Sequence, residues 1–204
     1  LPPKLTAGTG LDALSHAIEG MMSLKSSKLS DALALEAIRL VGKYVERAYL
    51  NGDDIEARYH MSLAATLAGL VLGTAGVNLG HSIAHTISMR KHLHHGFTCG
   101  MTLPYAMMYN ISVCRDKFIA IAEALGEKVE GLSPIEASEK AVNSVIELNR
   151  RLNIPLSLKE IGIAEEILPE LADELVQKYP RPNNPRKFEK EALLKLYELM
   201  YEGI

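Results

Sequence analysis

The chain has 204 residues, 48% of them hydrophobic and 23% charged, with a formal net charge of −3. That length buries a substantial core, and the composition is that of an ordinary globular protein rather than a disordered or fibrous one. The slightly acidic balance leaves no basic face for a nucleic acid, and two cysteines, Cys99 and Cys114, build no disulfide framework and fit a reducing compartment such as the cytoplasm.

Leu1–Gly10 is rich in proline and glycine and reads as an extended lead-in without signal-peptide character. Because it starts at Leu1 rather than Met, the chain is expected to be part of a longer protein. A helix is expected from Thr9 or Gly10 to about Ser23, then a polar connector. Ser30 or Asp31 should cap a long second helix with apolar positions at helical spacing, ending at Asn51-Gly52. The third helix, about 54–72, is so rich in Ala, Leu and Gly that a central position is expected. The apolar run from Met61 to Leu79 is interrupted and predicts no membrane span.

A histidine-bearing helix should follow over 78–90, then the loop KHLHHGF. The next helix should begin near Thr98, with Pro104 in its first turns. A short helix over 117–125 precedes one from Pro134 to Leu152, where Ser133 and Glu136 form a capping box. Segments 164–179 and 188–201 complete the set around the non-helical PRPNNPRK. No alternating run reads as a strand, so the expected fold class is all-α, a multi-helix bundle in one domain spanning 1–204.

Five of the seven histidines fall between Asn78 and Gly100. His81 and His85 are four apart, so a helix puts both on one face. Asp12 and His16, in GLDALSHAIEG, form a second such pair among small and apolar residues. Imidazoles on buried helices need partners. With His95, the set Asp12, His16, His81 and His95 offers one carboxylate and three imidazoles. Such donors suit a first-row divalent ion and leave room for an exogenous oxygen ligand, the pattern of a catalytic centre. The other residues have plainer readings. His92 and His94 belong to a solvated loop, and His60 is a packing histidine. Met21, Met22, Met101, Met107 and Met108 are core fillers. Cys99 is a small buried residue rather than a stabilised thiolate. Glu19 either orients a ligand from behind or faces a basic side chain.

GLDALSHAIEG, GHSIAHTI and HHGFTCGMTLPYAMMYN, in this order, resemble the C-terminal helical domain of the iron-containing (group III) alcohol dehydrogenases. Their superfamily includes glycerol dehydrogenase and dehydroquinate synthase. The resemblance implies that Asp12, His16, His81 and His95 hold a divalent metal, usually Fe2+ and sometimes Zn2+. It implies that His85 lies by the substrate and nicotinamide and takes part in proton transfer. It further implies an alcohol or aldehyde substrate, and NAD or NADP carried by an N-terminal nucleotide-binding domain absent from this chain. No glycine among Gly69, Gly73, Gly76 and Gly80 makes a phosphate cradle here. The segment HTISMRKHLHH departs from the family in being more basic and poorer in glycine. Neither a nucleic-acid nor a membrane partner is expected, and a homo-oligomer is left open. The rival readings are a metal-dependent hydrolase and a non-enzymatic helical domain with a structural metal.

Overall fold

Proline at its first turn starts α1 (Pro3–Met22) well before the expected Thr9, with Gly8 and Gly10 inside the helix. A glycine in a helix interior costs about 1 kcal/mol relative to alanine, but here the glycines serve packing. A Cβ at Gly10 would stand 2.6 Å from Val45 Cγ2, and one at Gly8 would stand 3.3 Å from the Phe97 backbone nitrogen. Tertiary contact therefore overrides the local signal. The computed structural model describes residues 1–204: nine α-helices and no strand, an all-α fold as expected.

The second helix, α2 (Lys28–Leu50), is capped by Ser27 rather than by Ser30 or Asp31. Ser30 is instead the third helical residue, and its hydroxyl accepts the Ser27 amide at 2.8 Å. Asp54 caps α3 (Ile55–Ala75) by accepting from the Ala57 amide, and Gly76, at φ +72°, ends it. This helix is not central. Its small residues Ala57, Ala64, Ala68, Val71 and Ala75 face the core, whereas Tyr59 is 64% and Leu70 53% exposed. Small inward side chains let α3 approach α1 and α2 closely, and its larger apolar ones are left outside.

At Gly76 the chain turns by 105° into α4 (Leu79–Lys91), capped by Asn78. His92, in the left-handed conformation, ends α4, and it and His94 are exposed, as expected of the loop. The next helix, α5 (His95–Asn110), begins at His95 rather than near Thr98, and Pro104 sits in its middle rather than in its first turns. An interior proline leaves the carbonyl four residues back without its helical donor. Here Asn149 Nδ2 donates to that carbonyl, Gly100 O, at 2.7 Å, so the proline is tolerated.

Helices α6 (Arg115–Ala124), α7 (Pro134–Arg151), α8 (Leu168–Lys178) and α9 (Lys190–Glu202) follow, and α7 opens on the capping box expected from Ser133 and Glu136. In the connection before α9, Asn183 and Asn184 are buried and hydrogen-bonded to Ser23 and Asn110, which pins a proline-rich loop to the core. The centre of the bundle is α1, which touches α2, α3, α4 and α5. One continuous cluster of 50 buried hydrophobic residues joins the helices. Met21, Met22, Met101 and Met107 lie in it and Met108 at its margin. His60 stacks on Tyr44 with ring centroids 4.1 Å apart. No single helix is long and apolar enough to cross a membrane.

Candidate metal centre

Three helices converge where the histidines meet. Asp12, His16 and Glu19 share one face of α1, His81 and His85 one face of α4, and His95 and Cys99 one face of α5. Glycines set the separation. A Cβ at Gly96 would stand 2.3 Å from the Gly8 carbonyl oxygen and 3.0 Å from Asp12 Cβ, and one at Gly100 would stand 2.6 Å from Leu11 Cδ1. Backbone contact at this crossing is what brings His95 to Asp12. On the other side, a Cβ at Gly80 would stand 2.7 Å from Glu19 Oε1, so Gly80 is the space into which Glu19 fits.

The three histidines of the expected set all approach Asp12. Asp12 Oδ1 lies 3.6 Å from His16 Nε2, 3.6 Å from His81 Nε2 and 3.9 Å from His95 Nε2. These separations are too long for hydrogen bonds. Two of them fall within, and the third just beyond, the roughly 3.3–3.8 Å between neighbouring donors on one tetrahedral ion with ligand bonds of about 2.0–2.3 Å. Asp12 Oδ1 and His81 Nε2 are buried without any hydrogen-bond partner. Such orphaned atoms are rare and costly, and point to a further group between them. The cluster is open on one side, because the His95 side chain is 41% exposed while that of His81 is 4% exposed.

Glu19 lies behind His81. Its Oε1 is 2.6 Å from His81 Nδ1, and its Oε2 accepts the backbone amides of Asn78 at 2.7 Å and His81 at 3.3 Å. A fully buried carboxylate thus serves as partner to an imidazole and to the otherwise unpaired amides at the start of α4, where the helix dipole also favours it. This is the outer arrangement that orients a metal-binding histidine, of the two readings open for Glu19.

The electrostatics are consistent with this. Burial opposes ionisation of Asp12, but the neighbouring rings of His81, His16 and His95 outweigh it and hold its carboxyl below the usual value. Burial likewise works to raise Glu19, and His81 with the two amides brings it down. Burial, reinforced by other histidines, lowers His16 and His95 and favours neutral, donating rings. His81 is the exception: burial works to lower it, and Glu19 and Asp12 raise it. His85 stands beside the cluster, half-buried, its ring stacked between His95 at 5.3 Å and Tyr179 at 5.1 Å. Burial first, then His95, His81 and Arg181, lower its pKa.

Sequence reasoning passed over two neighbours. Cys99, expected to be a small packing residue, is buried as expected, but its Sγ lies 3.4 Å from His95 Nε2. Asp12, His81, His95 and Cys99 present ligand atoms all within 4.8 Å of one another. The spacing of His95 and Cys99, four apart, carried that signal. Tyr179 carried none: it reaches His85 from the end of α8, its carbonyl accepting from Ser82 Oγ at 2.7 Å.

The sequence model of the Fe-containing alcohol dehydrogenase family, C-terminal, matches residues 6–201. An NAD-dependent methanol dehydrogenase of Bacillus methanolicus is 37% identical over 185 residues, 91% of this chain and 49% of that protein. A solved alcohol dehydrogenase from Oenococcus oeni superposes with a TM-score of 0.95 at 32% identity, covering 98% of this chain and 52% of the other. A sulfoacetaldehyde reductase from Bifidobacterium kashiwanohense, solved in complex with NAD+, gives a TM-score of 0.86 at 27% identity, with coverages of 98% and 51%. The chain spans about half the length of the curated relatives it matches. It belongs to the iron-containing alcohol dehydrogenase family and corresponds to that family's C-terminal, all-helical domain.

Proposed function

We propose that this chain is the metal-binding catalytic domain of an NAD(P)-dependent alcohol dehydrogenase, which interconverts an alcohol with its aldehyde or ketone. The observation that carries the reading is the convergence of Asp12, His16, His81 and His95 around two buried, orphaned donor atoms. The donor set fits a divalent metal, which these four residues would hold; the family's name favours Fe2+, with Zn2+ the alternative. A divalent ion there supplies Lewis acidity toward an alcohol or carbonyl oxygen. NAD or NADP, held on an N-terminal nucleotide-binding domain, serves as the hydride acceptor or donor.

This chain's own residues do the rest. Glu19 holds the proton on His81 Nδ1 and so leaves Nε2 as the donor atom facing Asp12. The exposed edge at His95 admits the substrate, while the buried side at His81 keeps water away. His85, sandwiched between two rings and with its pKa lowered by burial, accepts the alcohol proton on a ring nitrogen and returns it in the reverse direction. The names of the relatives above, dehydrogenases and a reductase, favour this reading over the hydrolase. The cytoplasmic location, inferred from two unpaired thiols, belongs to the same proposal.

The test is alcohol-dependent NAD(P)H formation by the protein carrying both domains, loaded with Fe(II) or Zn(II). Turnover should vanish in His81→Ala and fall by about 10²–10⁴ in His85→Ala. Metal-independent turnover, or full activity in His81→Ala, would refute the reading. The 204-residue chain alone should give no turnover.

A further inference from the structure

Cys99 follows His95 by one turn of α5 and is 1% exposed. Its Sγ shares a 4.8 Å grouping with ligand atoms of Asp12, His81 and His95, and stands 3.4 Å from His95 Nε2. Here a second observation points to a ligand. His81, 3% exposed, aims its Nε2 into the same space without a partner, as does Asp12 Oδ1.

We propose that Cys99 is a further donor to this centre, so that the chain carries two overlapping ligand sets. One, Asp12, His16, His81 and His95, offers oxygen and nitrogen only. The other keeps Asp12, His81 and His95 and adds sulfur in place of His16. This rests on the reading of the cluster as a metal centre. The two sets differ in softness. Fe(II) and Mn(II) are well served by the first, while Zn(II), Co(II) and Cd(II) gain from a thiolate and favour the second. When sulfur binds, the S–H bond breaks, the proton leaves to solvent, and a sulfur lone pair forms the bond to the ion. No electron is transferred. Cys99 thereby sets metal preference: it draws the site toward zinc, in a family whose name is iron.

Cobalt(II) reports the donor directly. The purified chain, loaded with Co(II), should show an intense thiolate-to-cobalt charge-transfer band in the near ultraviolet. Cys99→Ser should abolish that band and keep the weaker visible bands, because the other donors remain. In competition, the zinc-over-iron preference of Cys99→Ser should fall by roughly tenfold or more, the scale on which supporting groups tune metal sites. Cys99→Ala serves as the second variant, and far-ultraviolet circular dichroism checks that each is helical. Visible bands without a charge-transfer band in the wild type would overturn the proposal and leave the metal centre standing. A band that survives in both variants would place its source elsewhere and also overturn it. If Co(II) does not bind the wild type at all, the metal-centre reading fails, and this inference with it.

Discussion

Glu19 Oε1 and His81 Nδ1 are 2.6 Å apart, with the glutamate fully buried and the histidine nearly so. The same carboxylate accepts two amides at the start of α4, so one side chain couples the direction of a metal-facing ring to the seating of its helix. Replacing it with glutamine keeps the shape but brings an amide NH2 against donors. Glu19→Gln should lower metal affinity by about 10–100-fold and destabilise the fold by about 1–3 kcal/mol. Competitive metal titration and urea unfolding measure the two effects. Unchanged affinity in a folded variant would leave Glu19 with a purely structural role.

The glycines predict opposite signs at two positions. At Gly96 an added Cβ meets the Gly8 backbone at 2.3 Å, which cannot rotate away. Gly96→Ala should therefore cost at least about 1–3 kcal/mol and loosen metal binding although no ligand is changed. At Gly69, on the outer face of α3, an added Cβ meets nothing within 4 Å. Gly69→Ala should stabilise by up to about 1 kcal/mol, because alanine loses less backbone freedom in a helix. Thermal unfolding of the two variants side by side gives the comparison; equal effects would show that the α1–α5 crossing is not set by that contact.

Acid should weaken the join between α4 and α8. Arg90 donates to Glu174 and, at 2.7 Å, to Glu170. Burial works to raise Glu174, but Arg90 and Lys178 bring its pKa below the ordinary glutamate value. A carboxylate with a depressed folded pKa contributes stability above its unfolded pKa, about 4.3, and loses it as pH falls through the folded value. Glu174→Gln should cost up to about 1 kcal/mol at neutral pH, the scale of a partly exposed ion pair. The gap to the wild type should narrow as pH falls below the ordinary glutamate value. Urea midpoints at neutral and at acid pH test this, and a gap that widens in acid would reverse the assignment.

Much of the site was legible because its chemistry is local. Asp12 with His16, and His81 with His85, are i,i+4 pairs among small residues, and helix geometry alone puts each pair on one face. The capping box at Ser133 and Glu136 was legible for the same reason. What escaped depends on contacts distant in sequence. Gly8, taken in by the early start of α1, packs against the Phe97 backbone, and Pro104 is tolerated because of Asn149. The apolar content of α3 suggested a central helix, but composition does not say which side chains point inward, and there the small ones do. Glu19 had two readings until the position of α4 decided between them. Cys99, one turn from His95, was legible in the spacing but read as packing, and Tyr179 came into view only once α4 and α8 were placed.

The proposed chemistry depends on Asp12, His16, His81 and His95 forming a metal centre. Its most direct test is the divalent metal content of the purified chain after anaerobic loading with Fe(II) or Zn(II), wild type beside His81→Ala and His95→Ala. A single ion should bind per wild-type chain and be lost from both variants while their helical content is kept. No bound ion in the wild type, or the same stoichiometry and affinity in all three proteins, would contradict it.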